Sequence, residues 1–227
     1  MEQFPQIGCY ADFTAALCRA GMTPGGPNGG GVFTLCDFFG PNIAWHTGDP
    51  ETDPWEWRIR VLEEREDIAY GKLFFRNSGY VTREWLPALL AVRRSGAELS
   101  GLLEEDPLAR RVYGLVRENG PLPLHILKEL AFVSKEEQKH FEKILTALQG
   151  SLFLTLCGRA RKRSRSGAEY GWASTVFCTV EHRFGEEVLR EADKLGPDRA
   201  YEALRAQLSR LHPQVDGKKA DKFLLAR

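Results

Sequence analysis

Apolar residues recur at helical spacing over 11–19 (Phe13, Leu17, Cys18), and Gly21 lies just beyond, so the pattern predicts a short helix. A glycine-rich loop from Pro24 to Gly31 follows. No Gly-Lys-Ser/Thr closes it, so it is not a Walker A phosphate cradle. Val32 to Phe39 is an apolar run, and Asp53-Pro54-Trp55-Glu56 then has the marks of a helix start. Asp53 is placed to cap, Pro54 suits the first helical position, and Glu56 sits at the capping-box position. The helix is expected to run through Ile59 and Leu62 to about Glu66. Apolar segments at 70–75 and 79–81 flank Arg76-Asn77-Ser78-Gly79, a tight turn. Thr82 is placed to cap a helix over 83–94 that ends at Gly96.

The second half has a different rhythm. Residues 107–118 carry Leu108, Val112, Leu115 and Val116 on one helical face, stopped by Asn119-Gly120-Pro121. A short helix is expected over 124–132. Ser134 caps a third helix to Gln149, with Glu137 three residues on as a capping box and Phe141, Ile144, Leu145 and Leu148 turned inward. Residues 152–156 form a strand, 159–167 a basic loop, and 170–180 a returning strand. The tail over 185–211 is expected as two amphipathic helices broken at Gly196-Pro197, followed by a mobile basic end with Lys218, Lys219 and Lys222.

Composition narrows the class. Apolar residues make up 43% and charged residues 27% of 227, as in globular proteins. This excludes a disordered chain. No stretch approaches the roughly 18 apolar residues that span a bilayer, and the N-terminus lacks a basic-then-apolar leader. The five cysteines form no Cys-x-x-Cys pair, so they are read as reduced thiols of a cytosolic protein rather than as a zinc ribbon. The zero net charge conceals a division. Residues 1–106 hold 9 basic and 16 acidic side chains, and residues 107–227 hold 22 and 15. A basic half points to phosphate as a partner, or to attraction between the halves.

Three helices followed by a hairpin is the order of a winged helix-turn-helix. The expected fold is therefore α+β: an N-terminal α+β region over 1–98, a winged helix over 105–182, and C-terminal helices with a basic tail over 183–227. Arg159, Arg161, Lys162, Arg163 and Arg165 place five cations within seven residues of the hairpin, where they are expected to hold DNA phosphates. Lys135, Lys139 and Lys143 line the third helix, but Glu136, Glu137 and Glu142 interrupt them. That mixture favours nonspecific or structure-specific binding over base-edge readout. Winged helices also serve as protein-interaction modules. A noncatalytic regulator whose acidic half masks the basic hairpin is thus the alternative.

Gly120-Pro121-Leu122, the stretch from Lys135 to Leu148, Glu169-Tyr170-Gly171-Trp172 and Glu181 resemble the winged-helix part of the AlkZ/YcaQ-like alkylbase DNA glycosylases. The stretch from Trp45 to Arg58, with Tyr70-Gly71-Lys72-Leu73-Phe74-Phe75, resembles small bacterial AlkZ-related proteins over most of the chain. The resemblance implies DNA as the partner, a setting in repair of alkylated DNA, and a possible N-glycosylase activity. The enzymes use a Gln-x-Gln or Gln-x-Asp catalytic triplet. That triplet is read as absent from this chain, its nearest feature being Gln3-Phe4-Pro5-Gln6, which has the wrong spacing.

Excision of a base requires aromatic rings to hold it and a carboxylate to position water or steady a cationic sugar. Trp45, Trp55 and Tyr70 are the candidate base pocket, suited to a cationic alkylated base. Asp49 and Asp53 are the candidate acids, with His46 beside them in sequence. Capping equally explains Asp53, and Trp55 and Trp57 face different ways on a helix, so one belongs to the core. His46, Asp49, Glu51 and Asp53 are a weaker candidate for a divalent ion in a metal-dependent hydrolase. No cofactor and no metal are expected, and no membrane partner.

Overall fold

The computed structural model describes residues 3–27, 30–95, 97–164 and 166–226. Helix α1 (Tyr10–Ala20) ends at Gly21, whose φ of 80° lets its N–H return to the Leu17 carbonyl. A Cβ there would lie 2.2 Å from the Trp85 indole, so both conformation and space demand glycine. Strand β1 (Met22–Pro24) follows. After a short 3-10 turn at Leu35–Phe38, Asp53 caps α2 (Pro54–Glu64). Strands β2 (Ile68–Phe74) and β3 (Asn77–Thr82) complete an antiparallel sheet in the order β1-β3-β2. Tyr70 pairs with Tyr80 and Gly71 with Gly79. Phe13 and Trp57 stack at 5.1 Å within the aromatic core between α1, α2 and this sheet.

Helix α3 (Leu86–Arg94) is buried around nearly its whole girth, with Leu86, Leu89 and Leu90 at 0% exposure. Helix α4 (Ala97–Glu105) follows at once; Gly96 lies outside the described residues. Then come α5 (Pro107–Asn119), β4 (Leu122–Pro123), α6 (Leu124–Leu130), α7 (Gln138–Gly150), β5 (Leu154–Arg163) and β6 (Glu169–Thr179). The second antiparallel sheet has the order β4-β6-β5. Leu108, Val112, Leu127, Phe141, Leu148 and Phe177 join these elements in one core. The expected Ser134/Glu137 capping box forms reciprocally, at 3.1 and 3.2 Å, although regular helix begins only at Gln138. Helices α8 (Val180–Phe184), α9 (Glu187–Leu195), α10 (Pro197–Leu211) and α11 (Gly217–Leu225) return the chain to α3.

Several expected elements differ. Helix α3 starts at Leu86 rather than 83, because Thr82 is still paired in β3 with Ile68. The turn falls at Phe75-Arg76, and Asn77 to Gly79 belong to β3. The basic stretch is strand as far as Arg163 rather than loop, because it pairs with β6. The basic C-terminal end is helix α11, docked by buried Ala220, Phe223 and Leu224. All five cysteines are free thiols. No helix among the described residues is long and apolar enough to cross a membrane.

Arg93 joins the halves. It is 1% exposed, and its guanidinium donates to the carbonyls of Gly150, Phe223 and Leu224, each at 2.9 Å. These are carbonyls at the C-terminal ends of α7 and α11, which have no intrahelical partner. Gln149 adds a second tie: its side-chain oxygen accepts the Lys72 N–H at 3.0 Å. Arg93→Met retains the apolar stem but leaves those carbonyls without the guanidinium. It is expected to lower unfolding free energy by about 3 kcal/mol in urea denaturation. A loss below about 1 kcal/mol would show that the joint does not need the charge.

Candidate nucleic-acid interface

The stretch at 45–58 is organised around Asp53. Its side chain is fully buried, and its two oxygens accept the N–H groups of His46 (3.1 Å), Gly48 (2.9 Å) and Trp55 (2.8 Å). Burial penalises the ionised carboxylate, but the backbone N–H groups of Gly48, Trp55, His46 and Thr47 outweigh it and hold the carboxyl below its ordinary range. Such a carboxylate is a fixed cap and a weak base at neutral pH. Asp49 is exposed and accepts from the Glu51 N–H at 2.8 Å and the Thr52 hydroxyl at 3.0 Å. The Glu51 contact is the main reason its carboxyl is also lowered. His46 has a φ of 63°, and its ring lies 4.7 Å from that of Trp55.

The three candidate base-stacking rings do not share one wall. Trp45 is half-buried, with its ring 6.4 Å from that of His46. Trp55 is 41% exposed, and the Arg58 guanidinium lies 3.3 Å over its ring. Tyr70 is 5% exposed in the aromatic core, packed on Tyr80 at 4.6 Å. A cavity behind this stretch, lined by Phe13, Pro54, Trp57 and Tyr80, holds about 10 Å³, space for a water at most. No group of three His, Cys, Asp or Glu side chains among the described residues could hold a metal ion.

The β5–β6 hairpin has the opposite character. Strand geometry sets Arg159 and Arg161 on one face of β5 and Lys162 on the other. Arg159, near the base, turns to α2 and meets Glu63 at 3.4 Å and Glu56 at 3.8 Å. Arg161 and Lys162 are exposed and make no ion pair with a described residue. Arg165 lies outside the described residues, and only the backbone of Arg163 is placed, opposite Glu169. Between the pairs Ala160–Ser174 and Lys162–Tyr170, Arg161 alone faces Gly171, Trp172 and Ala173. Gly171, with φ of 72°, opens this bulge. Trp172 is consequently 96% exposed, and Tyr170 53%. Sequence inspection had these two rings within its motif but gave no sign of the bulge that turns them to solvent.

Lys135 is exposed ahead of α7, while Lys139 and Lys143, one turn apart, border a groove. Its other side is the β2–β3 turn, with Lys72 and Arg76, neither of which the sequence analysis singled out. One Gln-x-Asp triplet does occur in the chain, Gln214-Val215-Asp216, which the sequence analysis passed over. Asp216 caps α11 through the Lys219 N–H at 3.0 Å.

A family model described as AlkZ related matches residues 7–225. No curated protein and no solved structure matches the chain.

The cap at Asp53 yields a pH signature. A carboxyl held below its unfolded value of about 4 contributes fully above that pH. The contribution is lost as the pH falls through the folded value. Asp53→Ala is expected to cost about 2 kcal/mol at neutral pH. Below about pH 4, wild type should lose stability more steeply than the variant in acid-dependent urea denaturation. Parallel curves would contradict the assignment.

Proposed function

The chain belongs to the AlkZ-related family, and from that premise we propose that it binds DNA through the β5–β6 hairpin, with residues 105–182 acting as a winged helix-turn-helix. The observation that carries the reading is the hairpin end: Trp172 at 96% exposure beside Arg161 and Lys162, which make no ion pair with a described residue. Trp172 and Tyr170, exposed two residues apart, make an apolar patch rimmed by cations, the kind of surface that marks an interaction site. Cations bind the sugar-phosphate backbone irrespective of sequence, while Trp172 and Tyr170 stack on bases that have left the helical stack. Arg163 and Arg165 extend the cationic run, and Lys135 ahead of α7 adds phosphate contacts together with Lys139 and Lys143 on it. DNA with an alkylated, unpaired or displaced base is the substrate class this chemistry fits.

A second reading has its own observation. Arg159 is drawn to Glu56 and Glu63 of the acidic half. This is how a regulator would hold the hairpin against α2, and competition by DNA for Arg159 would release it.

The test is fluorescence anisotropy with a labelled duplex, intact or carrying one unpaired base, across a salt series. Wild type should bind more weakly as salt rises. Arg161→Ala with Lys162→Ala should reduce the log–log slope by about two. Trp172→Ala should leave the slope unchanged and remove the preference for the unpaired base. Absence of binding at low salt would contradict the DNA reading.

A further inference from the structure

The groove between α7 and the β2–β3 turn measures about 1040 Å³. This is the upper end of the range for small-molecule sites. Lys72 and Arg76 stand on one side, Lys139 and Lys143 on the other, over a floor that includes Leu73 and Ile144. All four cations are exposed, and none makes an ion pair with a described residue. One carboxylate, Glu142, also lines the groove, held by the Gln138 amide at 2.7 Å, while His140 lies 2.8 Å from Asp106. Four cations against one carboxylate leave the groove strongly net positive, and a bound anion relieves the repulsion among them.

The backbone supplies an independent observation. Phe74 pairs with Asn77, so the turn has two central residues, Phe75 and Arg76, with φ of 51° and 61°. Two-residue hairpin turns with positive φ at both positions ordinarily carry Asn-Gly, because side chains resist that geometry. Phe75 has a packing reason, since its ring lies 5.9 Å from that of Phe223. Arg76 has no such contact: it is exposed, and its conformation directs it to the rim of the groove. Strain retained without a structural return marks functional positions.

We propose that this groove binds a nucleoside phosphate. Lys72, Arg76, Lys139 and Lys143 gather the phosphate oxygens, and the apolar floor takes the base or sugar. The nucleoside phosphate is either a free nucleotide or the phosphorylated end of a nucleic-acid strand. The inference shares Lys139 and Lys143 with the proposed function but does not rest on the hairpin.

The experiment titrates the full chain into N-methylanthraniloyl-ATP at constant ionic strength and follows its fluorescence. Competitors are ATP, inorganic tripolyphosphate, and a single-stranded oligonucleotide with or without a 5′-phosphate. Saturable binding is expected, weakened about tenfold by Arg76→Gly and by Lys143→Ala. It should be unchanged by Arg161→Ala with Lys162→Ala, which separates this site from the hairpin. Arg76→Gly should also match or raise the melting temperature, because glycine tolerates the turn; a merely structural Arg76 would lower it. Competition by the phosphorylated strand as well as by ATP identifies a strand end, and competition by ATP alone a free nucleotide; both support the site, whereas binding that ATP fails to compete belongs to the fluorophore and overturns it. Absence of saturable binding would overturn it, as would binding indifferent to both groove variants. Tripolyphosphate competing as well as ATP would overturn the nucleoside assignment.

Discussion

Arg93 brings a guanidinium into the interior where three segments distant in sequence meet. Its nitrogens satisfy Gly150 at the end of α7 and Phe223 and Leu224 in the last turn of α11. It acts as a shared C-terminal cap supplied by a third helix, the position where a cation is favoured by both unpaired carbonyls and the helix dipole. Burial lowers its pKa, and the three acceptors replace the water it has lost. Neighbouring Arg94 extends the joint to the Leu152 carbonyl and to Glu181 at 2.7 Å. Gln149, next to Gly150, holds this end of α7 against β2 by accepting the Lys72 N–H, and the groove lies beside that contact.

The division of charge becomes intelligible from the same contacts. Arg83 pairs with Glu191 and Arg94 with Glu181, so cations of the acidic half meet acids of the basic half. Arg159 makes the reverse exchange with Glu56 and Glu63. These pairs consume charge where the halves touch. Lys72, Arg76, Lys139, Lys143, Arg161 and Lys162 remain outside them. They occur in two settings, the groove and the end of the hairpin, one with an apolar floor and the other with two exposed rings. Both fit phosphate-bearing ligands, and the rings add a means of holding a base.

Local chemistry made part of this legible in the sequence. Asp53-Pro54 and the Ser134/Glu137 box mark helix starts through side-chain capping, and Gly196-Pro197 separates α9 from α10. Elements that depend on a distant partner were not legible. Strand β4 has two residues and exists because Leu122 and Pro123 pair with Phe177 and Val176. The arginine-rich run looks like a loop until β6 supplies its ladder. Arg93 and Arg94 end an apolar helix as an ordinary basic pair, and nothing local distinguishes the one that goes inside. The groove needs the β2–β3 turn beside α7, a juxtaposition no spacing rule reveals. In the 45–58 stretch, the residue types of a catalytic loop and the helix cap at Asp53 were legible; the N–H groups of His46 and Gly48 that also occupy its carboxylate were not.

In the proposed binding mode the β5–β6 hairpin, rather than the 45–58 loop, meets nucleic acid. Hydrogen–deuterium exchange on the full chain, free and with a DNA duplex containing one unpaired base, tests it directly. Slowed exchange is expected over 159–175 and at the start of α7, with 45–58 unchanged. Protection confined to 45–58, with the hairpin exchanging as in the free protein, would contradict it.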